Sequence, residues 1–265
     1  MEALVSTVKA KRVIIFGHSH VWALRAAWKT GSFTPNTDHF SLEIPLCGTK
    51  QFPGDLINYN ARGAEQINAA LLSVLNTHPP AGANDVYLAS VCQGNAYNAV
   101  GLLLEGPAFD FVVPGYEALP LNDGADLVPF GAIKSLIQRQ CIGLTALMHR
   151  LSKLGYAGIM HFEAPPPIED GDFVAEKLRQ NNEINNSTAI VNDKYVRLKL
   201  WLTQTLIMQE ICDAAGVRYV REVPATSNEA GFLADEYKKD AVHANFLYGV
   251  ELLSCCERIV QDWNH

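Results

Sequence analysis

The 265-residue chain is 48% hydrophobic and 18% charged, with a formal net charge of −7. This length suits one large α/β domain or two small ones, with a core of ordinary size. The acidic balance and the lack of any basic block speak against a nucleic-acid or anionic-membrane partner. The opening "MEALVSTVKAKR" has no apolar signal core, and no run of about 18 or more apolar residues follows. Cys47, Cys92, Cys141, Cys212, Cys255 and Cys256 form no Cys-x-x-Cys pair. They read as reduced, buried thiols of a cytoplasmic protein, not as a disulfide framework or zinc site.

Arg12 to Phe16 is a short apolar run of the kind found in buried strands. It ends at Gly17-His18-Ser19-His20. Val21 to Lys29 then has Val21, Leu24, Ala27 and Trp28 on one helical stripe. His39 to Pro45 alternates weakly and is expected as a second strand. Gly48 to Asn60 is rich in turn residues. Ala64 to Leu75 carries Ile67, Leu71, Leu72 and Leu75 at helical spacing, and Pro79-Pro80 stops it. Asp85 to Val91 is a third strand, ended by Gln93-Gly94-Asn95. Gly106 to Gly131 reads as a long excursion, and Ala132 to Leu154 as one long helix. "AGIMHFEAPPP" is a fourth strand halted by prolines. Glu169 to Asn192 is a second, asparagine-rich excursion. Lys194 to Ala215 is a helix facing inward through Leu198, Trp201, Leu202 and Leu206, with Gly216 at its end. "VRYV" is a fifth strand, and Asn245 caps a last helix running to about Trp263.

Strands alternating with helices argue for a three-layer α/β/α sandwich with a mainly parallel sheet of about five strands. One domain is expected over residues 1–265, with loop insertions near 106–131 and 169–192. Loops longer than about 12–15 residues in a compact domain usually carry function, so these two are expected to shape access to a site. In such sheets ligands sit at the carboxyl ends of the strands. The polar residues at those ends are then the parts of an acyl-transfer site. A serine hydroxyl needs an adjacent base, and His243 has a suitable intrinsic pKa. Asp240, three residues earlier, is placed to fix its tautomer and stabilise the imidazolium. The Asn95 amide, the Ser19 N–H and the N–H of a loop glycine would hold an oxyanion. Ser19 also opens a helix, where unpaired N–H groups favour negative charge.

Four blocks, in order along the chain, resemble those of the SGNH hydrolases, also called the GDSL esterase/lipase superfamily. They are "VIIFGHSH", "NYNARGAEQ", "QGNAYN" and "DAVHANFLYG"; "APPP" at 164–167 resembles the proline-rich end of that family's fourth strand. The resemblance implies a flavodoxin-like SGNH fold and an O-acyl ester hydrolase without cofactor or metal. It implies Ser19 as nucleophile, His243 and Asp240 as its partners, and Ser19, Gly63 and Asn95 as the oxyanion hole; Gly48 and Gly54 are alternatives to Gly63. One departure stands out. The family usually has Gly-Asp-Ser, whereas His18 precedes the serine here, although that acidic residue is not a triad member. His20 resembles the Gly-Asp-Ser-His variant found in modules acting on acyl groups of sugars. A carbohydrate or other small-molecule ester is therefore the expected substrate, with an acetyl group the expected acyl. His18 and His20 are expected to line the site.

Other readings accompany this one. The same acyl-enzyme serves an O-acyltransferase to a sugar hydroxyl, and His18 fits a catalytically inactive binding protein. His18, His20, Asp240 and His243 would also suit a metal-dependent hydrolase, although no His-Glu-x-x-His or cysteine-rich pattern supports it. Ser19 alone would be an N-cap, Asn95 a turn residue and Gly63 a turn glycine. His39, His78, His149 and His161 read as structural. "FGHSHVW" lacks the repeated glycines of a dinucleotide-binding loop.

Overall fold

The computed structural model describes residues 10–36, 40–47, 55–60, 62–80, 85–181, 190–221 and 226–263. In chain order it begins with β1 (Lys11–Gly17), α1 (Val21–Lys29), β2 (Phe40–Cys47), β3 (Ile57–Tyr59), β4 (Glu65–Ile67) and α2 (Ala69–Thr77). Next come β5 (Val86–Val91), α3 (Asn98–Gly101), β6 (Phe109–Asp110), β7 (Asp126–Leu127), α4 (Phe130–Gln140) and α5 (Ile142–Leu151). The chain ends with β8 (Gly158–Phe162), α6 (Gly171–Gln180), α7 (Lys194–Ala215), β9 (Arg218–Val220) and α8 (Phe246–Gln261).

The central sheet has five strands in the order β2-β1-β5-β8-β9, with every pairing parallel. Alternation along β1 divides the core, as a period of two requires. Ile14 and Phe16 join Leu88 and Ile159 under α2, α4, α5 and α7. Val13 and Ile15 join Tyr87, Ala89, Met160 and Phe162 under α1, α6 and α8. The expected three-layer α/β/α sandwich is therefore the observed one. β1 lies between β2 and β5, so the chain leaves β1 in one direction and later returns on its other side. The crevice at the ends of β1 and β5 is the topological switch point, where sheets of this kind place their ligands.

Three helix expectations need correction. The apolar stripe of 64–75 is not one helix. Glu65–Ile67 pairs antiparallel with Ile57–Tyr59, and Asn68 stops the strand and caps α2 by accepting the Ala70 N–H at 2.9 Å. The stretch 132–154 is two helices, because Cys141 leaves helical geometry at φ −100°, ψ 2°. Leu144, Leu147, Met148 and Leu151 of the second helix are all buried, so the break re-aims an apolar face and does not end it. The excursion 169–192 contains α6, capped by Asp170 and docked through Val174 and Leu178.

Helix α7 runs through the interior and carries buried cations that hold both excursions. Lys199 and Asp110 are each 2% exposed, with Lys199 Nζ at 2.7 and 2.9 Å from the two carboxylate oxygens. Lys199 also donates to the Pro120 carbonyl at 2.7 Å, while Asp110 accepts the N–H groups of Phe111 and Asn122. Buried ions need this complete satisfaction of donors and acceptors. The buried Arg197 donates in the same way to the carbonyls of Ile168, Glu169 and Asn192, around the second excursion. Burial pushes the thiols of Cys92, Cys141 and Cys212 up to about 12, leaving them protonated and inert.

Candidate active site

Two glycines make the rim possible. A Cβ on Gly17 would stand 2.4 Å from the Val91 carbonyl oxygen, so only glycine lets the ends of β1 and β5 approach this closely. Ser19 stands two residues past the end of β1, and Asn95 four past the end of β5. A Cβ on Gly249 would meet the Ala23 carbonyl oxygen at 2.2 Å, so α8 packs directly on the backbone of α1. That contact sets the loop before α8, which holds Asp240 and His243, beside the residues that open α1.

Ser19 is half-buried within the helical turn entering α1, its carbonyl accepting the Trp22 N–H at 3.2 Å. The Asp240–His243 pair is a local construction. Asp240 Oδ1 accepts the backbone N–H groups of Val242 and His243 at 3.1 and 2.9 Å, folding the chain into a tight turn. The same carboxylate takes His243 Nδ1 at 2.9 and 3.1 Å. Burial alone would raise the Asp240 carboxyl. The His243 ring, by hydrogen bond and charge, and the two backbone donors outweigh it and hold the group below the usual carboxylate range. Asn245 anchors the turn. It caps α8 by accepting the Leu247 and Tyr248 N–H groups and donates to the carbonyls of Glu236 and Lys238.

With Nδ1 committed, His243 has one remaining ring nitrogen. Its Nε2 is buried and has no hydrogen-bond partner among the described residues. Buried polar atoms are nearly always paired, so an orphaned one requires an explanation. The His243 ring stands 5.0 Å, centroid to centroid, from the ring of His20, the residue that follows Ser19.

Asn95 is held from several sides. Its Oδ1 lies 2.9 Å from His20 Nε2 and accepts from Asn98 Nδ2 at 3.1 Å. Beneath it, Gln204 of α7 donates to the Gly94 carbonyl at 3.1 Å and accepts the Tyr97 N–H at 2.7 Å. Gln93, just before, takes φ +57°, a left-handed conformation rare outside glycine. Such strain gathers where a surrounding structure fixes a functional backbone.

Ser19, Asn95, Asp240 and His243 thus stand at strand ends or on the loop packed beside them, and His20 is inside the group. His18 is half-buried, and burial lowers its pKa. Gly63 is a turn residue. It adopts φ +73° in the exposed turn between β3 and β4, and its N–H is given to the Asn60 carbonyl at 2.8 Å. That N–H is spent in the turn. Gly48 and Gly54 lie outside the described residues, as does His39. The other histidines expected to be structural have structural partners: His78 faces Glu43, His149 faces Lys153, and His161 meets Ser90. Gln204 and Asn98 carry no signal in the sequence, where one is a polar residue inside a helix pattern and the other an asparagine among turn residues. Among the described residues, no cluster of three or more His, Cys, Asp or Glu side chains is placed to hold a metal ion. No described helix is long and apolar enough to cross a membrane.

No protein-family model matches the chain, and no curated protein matches it. Among solved structures it is similar to a carbohydrate acetylesterase from Sinorhizobium meliloti, at 10% identity over 95% of this chain and 98% of that one, with a TM-score of 0.47. It is similar to a GDSL-like lipase from Bacteroides thetaiotaomicron, at 12% identity over 95% of this chain and 88% of that one, with a TM-score of 0.42. It is also similar to the periplasmic domain of a lipopolysaccharide acetyltransferase from Salmonella ser. Paratyphi A, at 11% identity over 96% and 85% of the two chains, with a TM-score of 0.45.

Proposed function

We propose that the chain is a serine ester hydrolase of the SGNH type, acting on a small O-acyl ester, an acetyl ester of a carbohydrate being the preferred substrate class. The observation that carries this reading is His243. Its Nδ1 is fixed on Asp240 while Nε2 is buried without a partner, one ring away from the residue that follows Ser19. An imidazole held in this way is a proton acceptor waiting for a hydroxyl.

In the reaction, Ser19 Oγ attacks the acyl carbonyl carbon as His243 Nε2 takes the hydroxyl proton. The tetrahedral oxyanion is held by the Ser19 N–H and the Asn95 side-chain N–H. Collapse breaks the carbon–alkoxy bond, and His243 returns its proton to the leaving alcohol. Water then attacks the acyl-serine with His243 again as base, releasing the carboxylic acid and restoring Ser19. Asp240 stays ionised throughout, holding the ring and stabilising its cation. The neutral residue His18 in place of the family's usual acid leaves each of these roles filled.

The test is hydrolysis of 4-nitrophenyl acetate and of acetylated sugars by the wild type and by Ser19→Ala and His243→Ala. Turnover in the wild type, reduced by about 10³-fold or more in both variants, supports the reading. Equal rates in all three would sink it. Adding a sugar acceptor and analysing products separates transfer from hydrolysis.

A further inference from the structure

We propose that His20 is a positioning residue that sets the orientation of the Asn95 side-chain amide, turning its NH2 toward the oxyanion. The inference rests on the hydrolase reading above and assigns the histidine a role in it. An asparagine serves an oxyanion only when its nitrogen, not its oxygen, faces the reacting carbonyl. The two ends of a carboxamide have nearly the same shape, so sterics alone do not choose between them. Hydrogen-bond partners do.

Here the choice is imposed at the oxygen. His20 Nε2 stands 2.9 Å from Asn95 Oδ1, and Asn98 Nδ2 donates to the same oxygen at 3.1 Å. Two donors on one oxygen turn the NH2 away from both. His20 donates only if its proton resides on Nε2. The ring is 7% exposed, and burial, with the neighbouring His243, lowers its pKa to about 3. It is thus neutral at working pH. Its contact with the Asn95 oxygen selects the Nε2–H tautomer.

The ring has its place because of a missing atom. A Cβ at Gly94 would lie 2.3 Å from His20 Cδ2 and 2.6 Å from Nε2. Gly94 therefore gives the imidazole direct access to the side chain of the next residue. The ring also stands 5.0 Å, centroid to centroid, from the ring of His243. His20 thus neighbours both the base and the oxyanion donor and hydrogen-bonds the donor. Positioned donors of this kind act by being oriented before the reaction begins.

The test uses the full chain and four variants: His20→Leu, His20→Gln, Asn95→Ala, and the His20→Leu/Asn95→Ala double variant. Glutamine retains an N–H donor near the place of Nε2; leucine keeps bulk and removes the donor. His20→Leu is expected to lower kcat by about 10- to 100-fold with KM little changed, less than the roughly 10²- to 10³-fold for losing an oxyanion donor outright, because the amide is misoriented and not removed. His20→Gln is expected to recover most of it. In the Asn95→Ala background, His20→Leu is expected to have no further effect, because there is no amide left to orient. A merely structural histidine would slow Asn95→Ala again, and that additivity would overturn the inference. An unchanged kcat in His20→Leu would overturn it too, while Ser19-dependent turnover in the wild type would keep the hydrolase reading intact. A wild type with no such turnover would overturn both. Imidazole ¹⁵N spectra give a readout free of activity: a His20 proton on Nδ1 contradicts the proposal.

Discussion

The two sides of Ser19 are built in different ways. The base side is a single turn. Asp240 and His243 are three residues apart, and one carboxylate holds the backbone and the ring together. The donor side is gathered from across the chain. Asn95 is oriented by His20, 75 residues away, and its loop is clamped by Gln204, 107 residues from Tyr97. The difference teaches where each side is vulnerable. A change in the turn should damage chemistry and spare the fold. A change around Asn95 should damage both, since the contacts that place the amide also tie β5 to α7.

The largest effect expected from this contrast is on the base side. Asp240→Asn removes the partner that fixes the tautomer and should lower kcat by about 10³- to 10⁴-fold. Its urea midpoint should stay near that of the wild type. Paired kinetic and denaturation measurements check this, and a large loss of stability would show that the turn is structural.

Gln204→Leu tests the donor side. It leaves the Tyr97 N–H and the Gly94 carbonyl without their partner. Unsatisfied buried groups cost about 1–3 kcal/mol, so a lower urea midpoint is expected. A fall in kcat should accompany it, as Asn95 loses its platform. Full stability with reduced kcat, or the reverse, would separate two functions that the structure joins.

A smaller effect concerns pH. His20 and His161 are buried and neutral, their pKa values lowered to about 3 and about 4 from 6.5. In the unfolded chain both titrate near 6.5. Between that value and the folded one, the unfolded state binds more protons, so stability rises with pH. The contribution is complete above pH 6.5 and is lost as the pH falls toward about 4 and then about 3. Urea midpoints from pH 7 to 4 should therefore decline, and His20→Gln should decline less. An identical slope in the variant would contradict the burial assigned to the ring.

The smallest effect is expected at Gly63. Its N–H is occupied in the hairpin turn, so Gly63→Ala should leave kcat within about twofold. The positive φ should cost the hairpin about 1 kcal/mol of local stability. A 100-fold loss of kcat would return Gly63 to the oxyanion hole.

The same local-versus-distant contrast explains what the sequence revealed. Helix α1 and helix α7 have the bounds their apolar spacing predicts, and Asn245 and Gly216 cap helices where their residue types suggest. The Asp240-x-x-His243 turn is legible because both partners lie within one short segment. Helix α6 was hidden by its polarity, although Asp170 is an N-cap and Val174 and Leu178 share a face. The break at Cys141 was hidden because both halves are amphipathic and no proline stands at the join, while Gly143 falls inside the second helix. The roles of His20, Gln204, Arg197 and Lys199 depend on partners far along the chain. A buried lysine in a helix pattern looks like a solvated one until Asp110 is placed against it. Gly17 and Gly94 showed only as turn residues; that a backbone or an imidazole needs their missing Cβ is a fact of packing.

The central claim is that Ser19 is an activated nucleophile, and active-site labelling tests it most directly. A fluorophosphonate probe is added to the intact protein, and the modified peptide is identified by mass spectrometry. The account predicts label on Ser19, abolished in Ser19→Ala and strongly slowed in His243→Ala. Label elsewhere, or a labelling rate at Ser19 unchanged by loss of His243, would contradict it.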